Sequence, residues 1–201
     1  MSIPVDLAIE DELSEAVLRR LLDYAKRGYS VGTAYGRGGY GYLKKTIPVW
    51  NKAAKYKPFV ILTDLDQRPC ASALIAEWLR MPQHPNLLLR IAVREVEAWL
   101  LADRTNLANF LHVPEKHIPV APEQLMDPKQ AMIEVARRSK LELIRQRIVP
   151  KKGSTATQGR EYNACLCEFV SRSWSIPSAM AQSPSLERTV LRLKAFTPKW
   201  E

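Results

Sequence analysis

Residues 57–70 read KPFVILTDLDQRPC, and no other stretch constrains the fold as tightly. Phe59, Val60, Ile61, Leu62 and Thr63 are apolar or β-branched without alternation, and Lys57-Pro58 and Arg68-Pro69 bound them. A short unalternating run of this kind reads as a strand buried on both faces, which belongs in the middle of a parallel sheet. Asp64 and Asp66 stand where that strand leaves the sheet. Side chains two apart on an extended segment point the same way, so two carboxylates about 7 Å apart are expected at its carboxyl end. Ligands of open α/β sheets bind at that edge. The pair reads either as ligands for a hard cation such as Mg²⁺ or as turn and cap residues of the next helix.

The chain before and after this strand repeats the same grammar. Pro4 to Ile9 reads as a first strand ending at Glu10, and Asp11 to Arg27 follows with Leu13, Val17, Leu18, Leu21 and Leu22 at helical spacing. Tyr29 to Tyr35 is a second strand, weakened by Gly32, and Tyr42 to Tyr56 a helix that Pro48 should kink or interrupt. After the central strand come a helix over 71–80, a strand over 86–93 and helices over 94–102 and 103–111. Strands alternating with helices predict a parallel α/β sheet of four strands, flanked by helices, over residues 1–112. Residues 112–128 hold four prolines and no periodicity. Asp127-Pro128 with Gln130 then opens a helix, and 162–174 and 183–196 read as further helices. Residues 113–201 are therefore expected to form a mainly helical region packed on the sheet domain.

With 46% hydrophobic and 25% charged residues, the 201-residue chain has the composition of a soluble globular protein. No apolar run approaches the roughly 18 residues of a membrane span. Cys70, Cys165 and Cys167 make no disulfide framework, which points to a reducing cytoplasm. The net charge of +9 is uneven: residues 1–112 carry +3 and residues 113–201 carry +6. A basic half beside an acidic edge implies a polyanionic partner, with DNA or RNA first in line.

Glu10 ends the first strand as Asp64 ends the third, so the sheet should bring these acids to one edge. Phosphodiester cleavage uses such a set: the aspartates to hold Mg²⁺ or Mn²⁺, the glutamate to ligate a second ion or move a proton. A helix-start carboxylate is the plainer reading of Glu10. If 94–102 is helical, Glu95 and Glu97 face opposite ways and at most one joins the site. The glycine-rich segment 36–41, followed by Lys44 and Lys45, is either a phosphate cradle or a flexible turn. In the first reading Arg37, Gly38, Gly39, Lys44 and Lys45 are the contacts. Lys151, Lys152 and Arg160 flank a loop read as solvated.

Ile9-Glu10, the 36–45 loop, LTDLDQ (62–67), REVEAWLLAD (94–103), GREYN (159–163) and Ser183 to Leu186 span nearly the whole chain. In these stretches it resembles the Toprim (topoisomerase–primase) domains, and more narrowly the Toprim-related family called domain-of-unknown-function 4276. The resemblance implies a Toprim-like sheet, Mg²⁺-dependent phosphodiester chemistry at Glu10, Asp64 and Asp66, and Glu97 as the further metal ligand, since it centres on Glu97-Ala98-Trp99. Similarity to the overcoming-lysogenization-defect nucleases, which join Toprim to an ATPase, implies a prokaryotic defence effector acting beside an ATPase. Asp11 and Gln67-Arg68-Pro69 stand where Toprim domains usually carry glycines. That departure keeps open a second class, a non-catalytic nucleic-acid- or protein-binding module on the same fold. A haloacid-dehalogenase-like phosphatase ranks last, because Arg68 stands where such enzymes carry Thr or Val.

Overall fold

The computed structural model describes residues 2–36 and 38–200. Strands β1 (Ile3–Ile9), β2 (Tyr29–Gly36), β3 (Phe59–Asp64) and β4 (Leu87–Ala92) form one parallel sheet in the order β2-β1-β3-β4. Helices α1 (Glu12–Ala25), α2 (Gly39–Ala53) and α3 (Ala71–Trp78) connect them in turn. The chain steps outward from β1 to β2 and then back past β1 to β3. Right-handed crossovers put helices on opposite faces when the direction reverses. So α1 covers one face and α2 and α3 the other, and the reversal leaves a crevice at the carboxyl ends of β1 and β3.

Strand alternation sorts the side chains between two cores. Val5, Leu7, Ile9, Val60, Leu62, Leu88 and Ala92 lie on the same side of the sheet as α1, while Ala8, Phe59, Ile61, Leu87, Leu89 and Ile91 lie on the side of α2 and α3. Strands buried on both sides have no polar face to show, which is why the runs read as continuous. Asp6 is an exception. Buried in β1, it pairs with Lys57 (2.5 Å) and accepts from Thr33 N (2.8 Å), where the β1–β2 register slips between Val5 and Leu7. A β-carbon on Gly32 would lie 2.6 Å from the Asp6 carboxylate, so the glycine that weakens β2 as a strand makes room for this pair.

The remaining helices are α4 (Val96–Leu101), α5 (Arg104–Leu111), α6 (Pro128–Arg137), α7 (Glu142–Ile148), α8 (Tyr162–Arg172), α9 (Ile176–Met180) and α10 (Pro184–Ala195). Asp127 caps α6 through Gln130 N (2.7 Å) and Ser183 caps α10 through Leu186 N (3.3 Å). From residue 113 on there is no strand among the described residues. This half completes the face that α1 leaves open over β3 and β4. Leu166, Phe169, Val190 and Leu193 join Leu7, Val60 and Trp99 in one buried cluster. A polar knot fixes the join: Glu123 accepts from Ser185 N (2.8 Å) and Ser185 Oγ (2.7 Å), and Trp99 Nε1 donates to Ser185 Oγ (2.7 Å). No helix among the described residues is long and apolar enough to cross a membrane.

Three expectations change. Helix α2 starts at Gly39, inside the glycine-rich segment, and runs on through Pro48. Helix α4 starts at Val96, because Glu95 is extended (φ −137°, ψ 162°). The short helices α7 and α9 were not foreseen, since five to seven residues carry too little periodicity to read.

The shared core predicts one cooperative unfolding transition. Phe169 is fully buried on α8 and packs on Phe110 (ring centroids 5.3 Å apart). Phe169→Ala should lower stability by about 3–5 kcal/mol without splitting the urea transition. Two separate transitions in the wild type would contradict a common core.

Candidate functional site: an acidic cleft at the switch point

Glu10 follows β1 and Asp64 ends β3, and the pairing of these neighbouring strands brings the two acids together. Glu10 Oε1 accepts from the Thr63 hydroxyl and from Asp64 N (3.1 Å). Asp64 Oδ1 in turn accepts from Val96 N (3.0 Å), at the start of α4. Leu65 N and Asp66 N donate to Arg94 O (2.9 and 3.0 Å), and Arg94 Nη1 returns a bond to Asp66 O (3.1 Å). The turns after β3 and β4 are thereby buckled to each other.

Asp66 reaches the cleft differently from the expectation. The strand stops at Asp64, and Asp66 takes a left-handed conformation (φ 51°) that aspartate tolerates better than most residues. A turn, not strand alternation, brings the second aspartate in. Glu97 is buried and its Oε1 accepts from the Tyr162 hydroxyl (3.0 Å), which comes from the start of α8. Glu95 joins it, against the expectation that only one of the two could. The helical-face argument fails because Glu95 precedes the helix. Its Oε2 accepts from Lys129 N (2.8 Å) in the first turn of α6.

These acids, with Asp11, Gly39 and Lys129, line a cleft of about 260 Å³. Lys129 is its one cationic side chain among the described residues, with Nζ 5.2 Å from the centre of the Tyr162 ring. The second half of the chain thus supplies Lys129 and Tyr162, and sequence reasoning missed both roles. The signals were present: Lys129 sits in a strongly capped helix start, and Tyr162 in the GREYN stretch.

The phosphate contacts expected from the glycine-rich segment fare unevenly. Gly39 lines the cleft and Gly38 precedes α2. Lys44 is turned to Glu77 of α3, where Arg68 also binds (3.3 Å) while lying over the Tyr40 ring (4.1 Å). Lys45 is exposed on α2 and outside the cleft lining, and Arg37 lies outside the described residues.

Burial raises the proton affinity of this set. Desolvation lifts Glu10 above the ordinary carboxylate value, and the bonds from Thr63 and Asp64 N pull it partly back. Desolvation, then the charges of Glu97 and Glu10, holds Asp64 well above it. Glu97 is raised by burial against the pull of Lys129, and burial followed by repulsion from Glu97 pushes Glu95 to about 7. Each of Glu10, Asp64 and Glu95 commits one oxygen to protein donors. The other has no hydrogen-bond partner among the described residues. Among those residues no partnerless side-chain oxygen is sealed from solvent, so these second oxygens open on water.

Oxygen-only donors of this charge match Mg²⁺ or Mn²⁺ and suit thiolate-seeking metals poorly. Among the described residues no three His, Cys, Asp or Glu side chains close into a ready cage.

The raised acids set the sign of a pH effect. Between the usual 4.5 and about 7 the folded Glu95 holds a proton that the unfolded chain has released, so stability falls as pH rises through that window. Glu10, Asp64 and Glu97 act in the same direction. Without divalent cations the melting temperature should be lower near pH 8 than near pH 5.5. Millimolar Mg²⁺ should recover the loss at the higher pH. A melting temperature that rises across the window, or is blind to the cation, would contradict the electrostatics described.

Comparison of the chain with protein-family models, with curated proteins and with solved structures finds no match in any of the three, so the chemistry of the cleft rests on its own geometry.

Proposed function

We propose that the cleft is the centre of a Mg²⁺- or Mn²⁺-dependent nuclease or related phosphodiester-cleaving enzyme. The observation that carries the reading is the convergence of Glu10, Asp64, Asp66, Glu95 and Glu97 on one small cleft at the carboxyl edge of the sheet, with Lys129 in the same lining. Structural carboxylates are normally paired with cations. Here Asp66 is paired with Arg68 (3.6 Å), but Glu10, Asp64 and Glu95 have no ion-pair partner among the described residues, and their second oxygens open on water. Glu10 and Asp64 would hold the ion through those oxygens, with Asp66, Glu95 and Glu97 within the same cleft for a second ion or for bound water. A bound Mg²⁺ or Mn²⁺ would polarise a phosphoryl oxygen and stabilise the leaving oxygen.

The chain's own groups do the rest. Thr63 and Asp64 N orient Glu10, Val96 N orients Asp64, and Tyr162 orients Glu97, so the acids are held at fixed angles before a substrate arrives. Lys129 brings a positive charge to the same space and is placed to meet a non-bridging phosphate oxygen. This reading agrees with the Toprim-type chemistry implied by the sequence resemblance. Membership of that family is part of the proposal, and a defence role beside an ATPase rests on the resemblance alone. Three free thiols fit a reducing cytoplasm.

The test is cleavage of labelled DNA and RNA with Mg²⁺, Mn²⁺ or chelator. Wild type should cut only with the cation, and Asp64→Asn should cut at least about 10²-fold more slowly. The variant keeps the bond from Val96 N and loses a repelled, desolvated charge, so without metal it should melt no lower than wild type. Cutting in chelator, or full activity in Asp64→Asn, would exclude the mechanism.

A further inference from the structure

A larger cavity, about 850 Å³, lies in the C-terminal half between the end of α6, helix α7 and the loop over 149–161. The loop is closed at its base. Gly159 N donates to Ile148 O (2.9 Å) and Glu161 N to Arg147 O (3.2 Å), and a β-carbon on Gly159 would collide with the Arg147 carbonyl. Its tip is a turn, with Ser154 N on Lys151 O (3.0 Å) and Gly153 left-handed (φ 78°). The lining therefore has a defined shape, where sequence reading gave only a solvated loop.

Its charge is one-sided. Of the acids in the lining, Glu142 is paired with Arg145, and Glu161 with Arg147 (2.8 Å). Arg137, paired with Glu134 (3.4 Å), and Lys151 and Arg160 also line the groove. Lys151 and Arg160 are exposed, and their side chains have no ion-pair or hydrogen-bond partner among the described residues. Ser154 and Gln158 add neutral polar groups. Cations spread along an open wall suit a chain of phosphates better than one small anion.

The groove and the acidic cleft lie at opposite ends of helix α6. Helix α6 has Lys129 at the cleft and Arg137 at the groove, about 12 Å apart at 1.5 Å per residue. On the other wall the two sites are adjacent in sequence: Glu161 lines the groove and Tyr162 binds Glu97 in the cleft. We propose that the groove docks the phosphodiester backbone of a nucleic-acid strand and feeds it to the cleft. The feeding step rests on the nuclease reading, whereas backbone docking stands on the groove itself.

The test uses the full chain, single-stranded DNA and RNA of one sequence, and the double variant Lys151→Gln/Arg160→Gln. Neither side chain supports the fold, so the variant should melt as wild type does; Lys151→Glu alone gives the same readout with a charge reversed. Binding by fluorescence anisotropy across a salt series should weaken in the variant, with the log–log salt slope reduced by about 1.4 for two lost contacts to a single strand. Cleavage should show a raised KM at unchanged kcat, and Mn²⁺ binding by calorimetry should not move. Unchanged affinity and slope in both arms, or wild type that binds neither strand, would overturn the groove. Wild type that binds through these residues but never cuts would keep the groove and sink the nuclease reading. Cleavage with KM unaltered in the double variant would do the reverse.

Discussion

The bond that welds the first and third strand ends is the point on which the rest of the molecule turns. Glu10 Oε1 takes the Thr63 hydroxyl and Asp64 N together, across the place where the order of the sheet reverses. A parallel sheet buries its strands on both faces, so its carboxyl edge is one of the few places where polar side chains from different strands can meet. Once Glu10 is fixed there, Asp64 is held against Val96 N, and the turns after β3 and β4 close on Arg94. The acidic cleft is the outcome of that geometry.

The second half of the chain makes the cleft a site and not merely an edge. Helix α10 covers β4 where α1 leaves the face open and α8 packs on α1, and burying their apolar sides there carries the starts of α6 and α8 to the acids. Lys129 and Tyr162 arrive as a consequence of packing. The arrangement is electrostatically costly, since burial and mutual repulsion raise the proton affinity of four of the acids. Natural proteins retain such unfavourable clusters mainly where function needs them.

The alternation of strands and helices, the helix starts at Asp127 and Ser183, and the positions of Glu10 and Asp64 were all legible in the sequence. Each is written in local pattern: an unalternating apolar run, an acid or serine before a helical face, an acid just past a strand. Glu95 was misplaced because its role depends on where α4 begins, and helix starts are set by hydrogen bonds, not by periodicity. Lys129 and Tyr162 lie 65 or more residues along the chain from Asp64, and only tertiary packing relates them to it. Lys44 shows the opposite failure. A lysine after glycines looks like a phosphate ligand until a neighbouring helix supplies Glu77 as its partner.

The central claim is that the unpartnered carboxylate oxygens of this cleft hold a hard divalent cation. Anomalous diffraction from crystals grown with Mn²⁺ tests it most directly, because it locates the ion without presuming a substrate. The account predicts a manganese peak about 2.2 Å from oxygens of Glu10 and Asp64, with the remaining positions filled by Asp66, Glu95 or Glu97 and by water. Crystals saturated with Mn²⁺ that show no peak in the cleft, or only peaks at surface acids elsewhere, would contradict it.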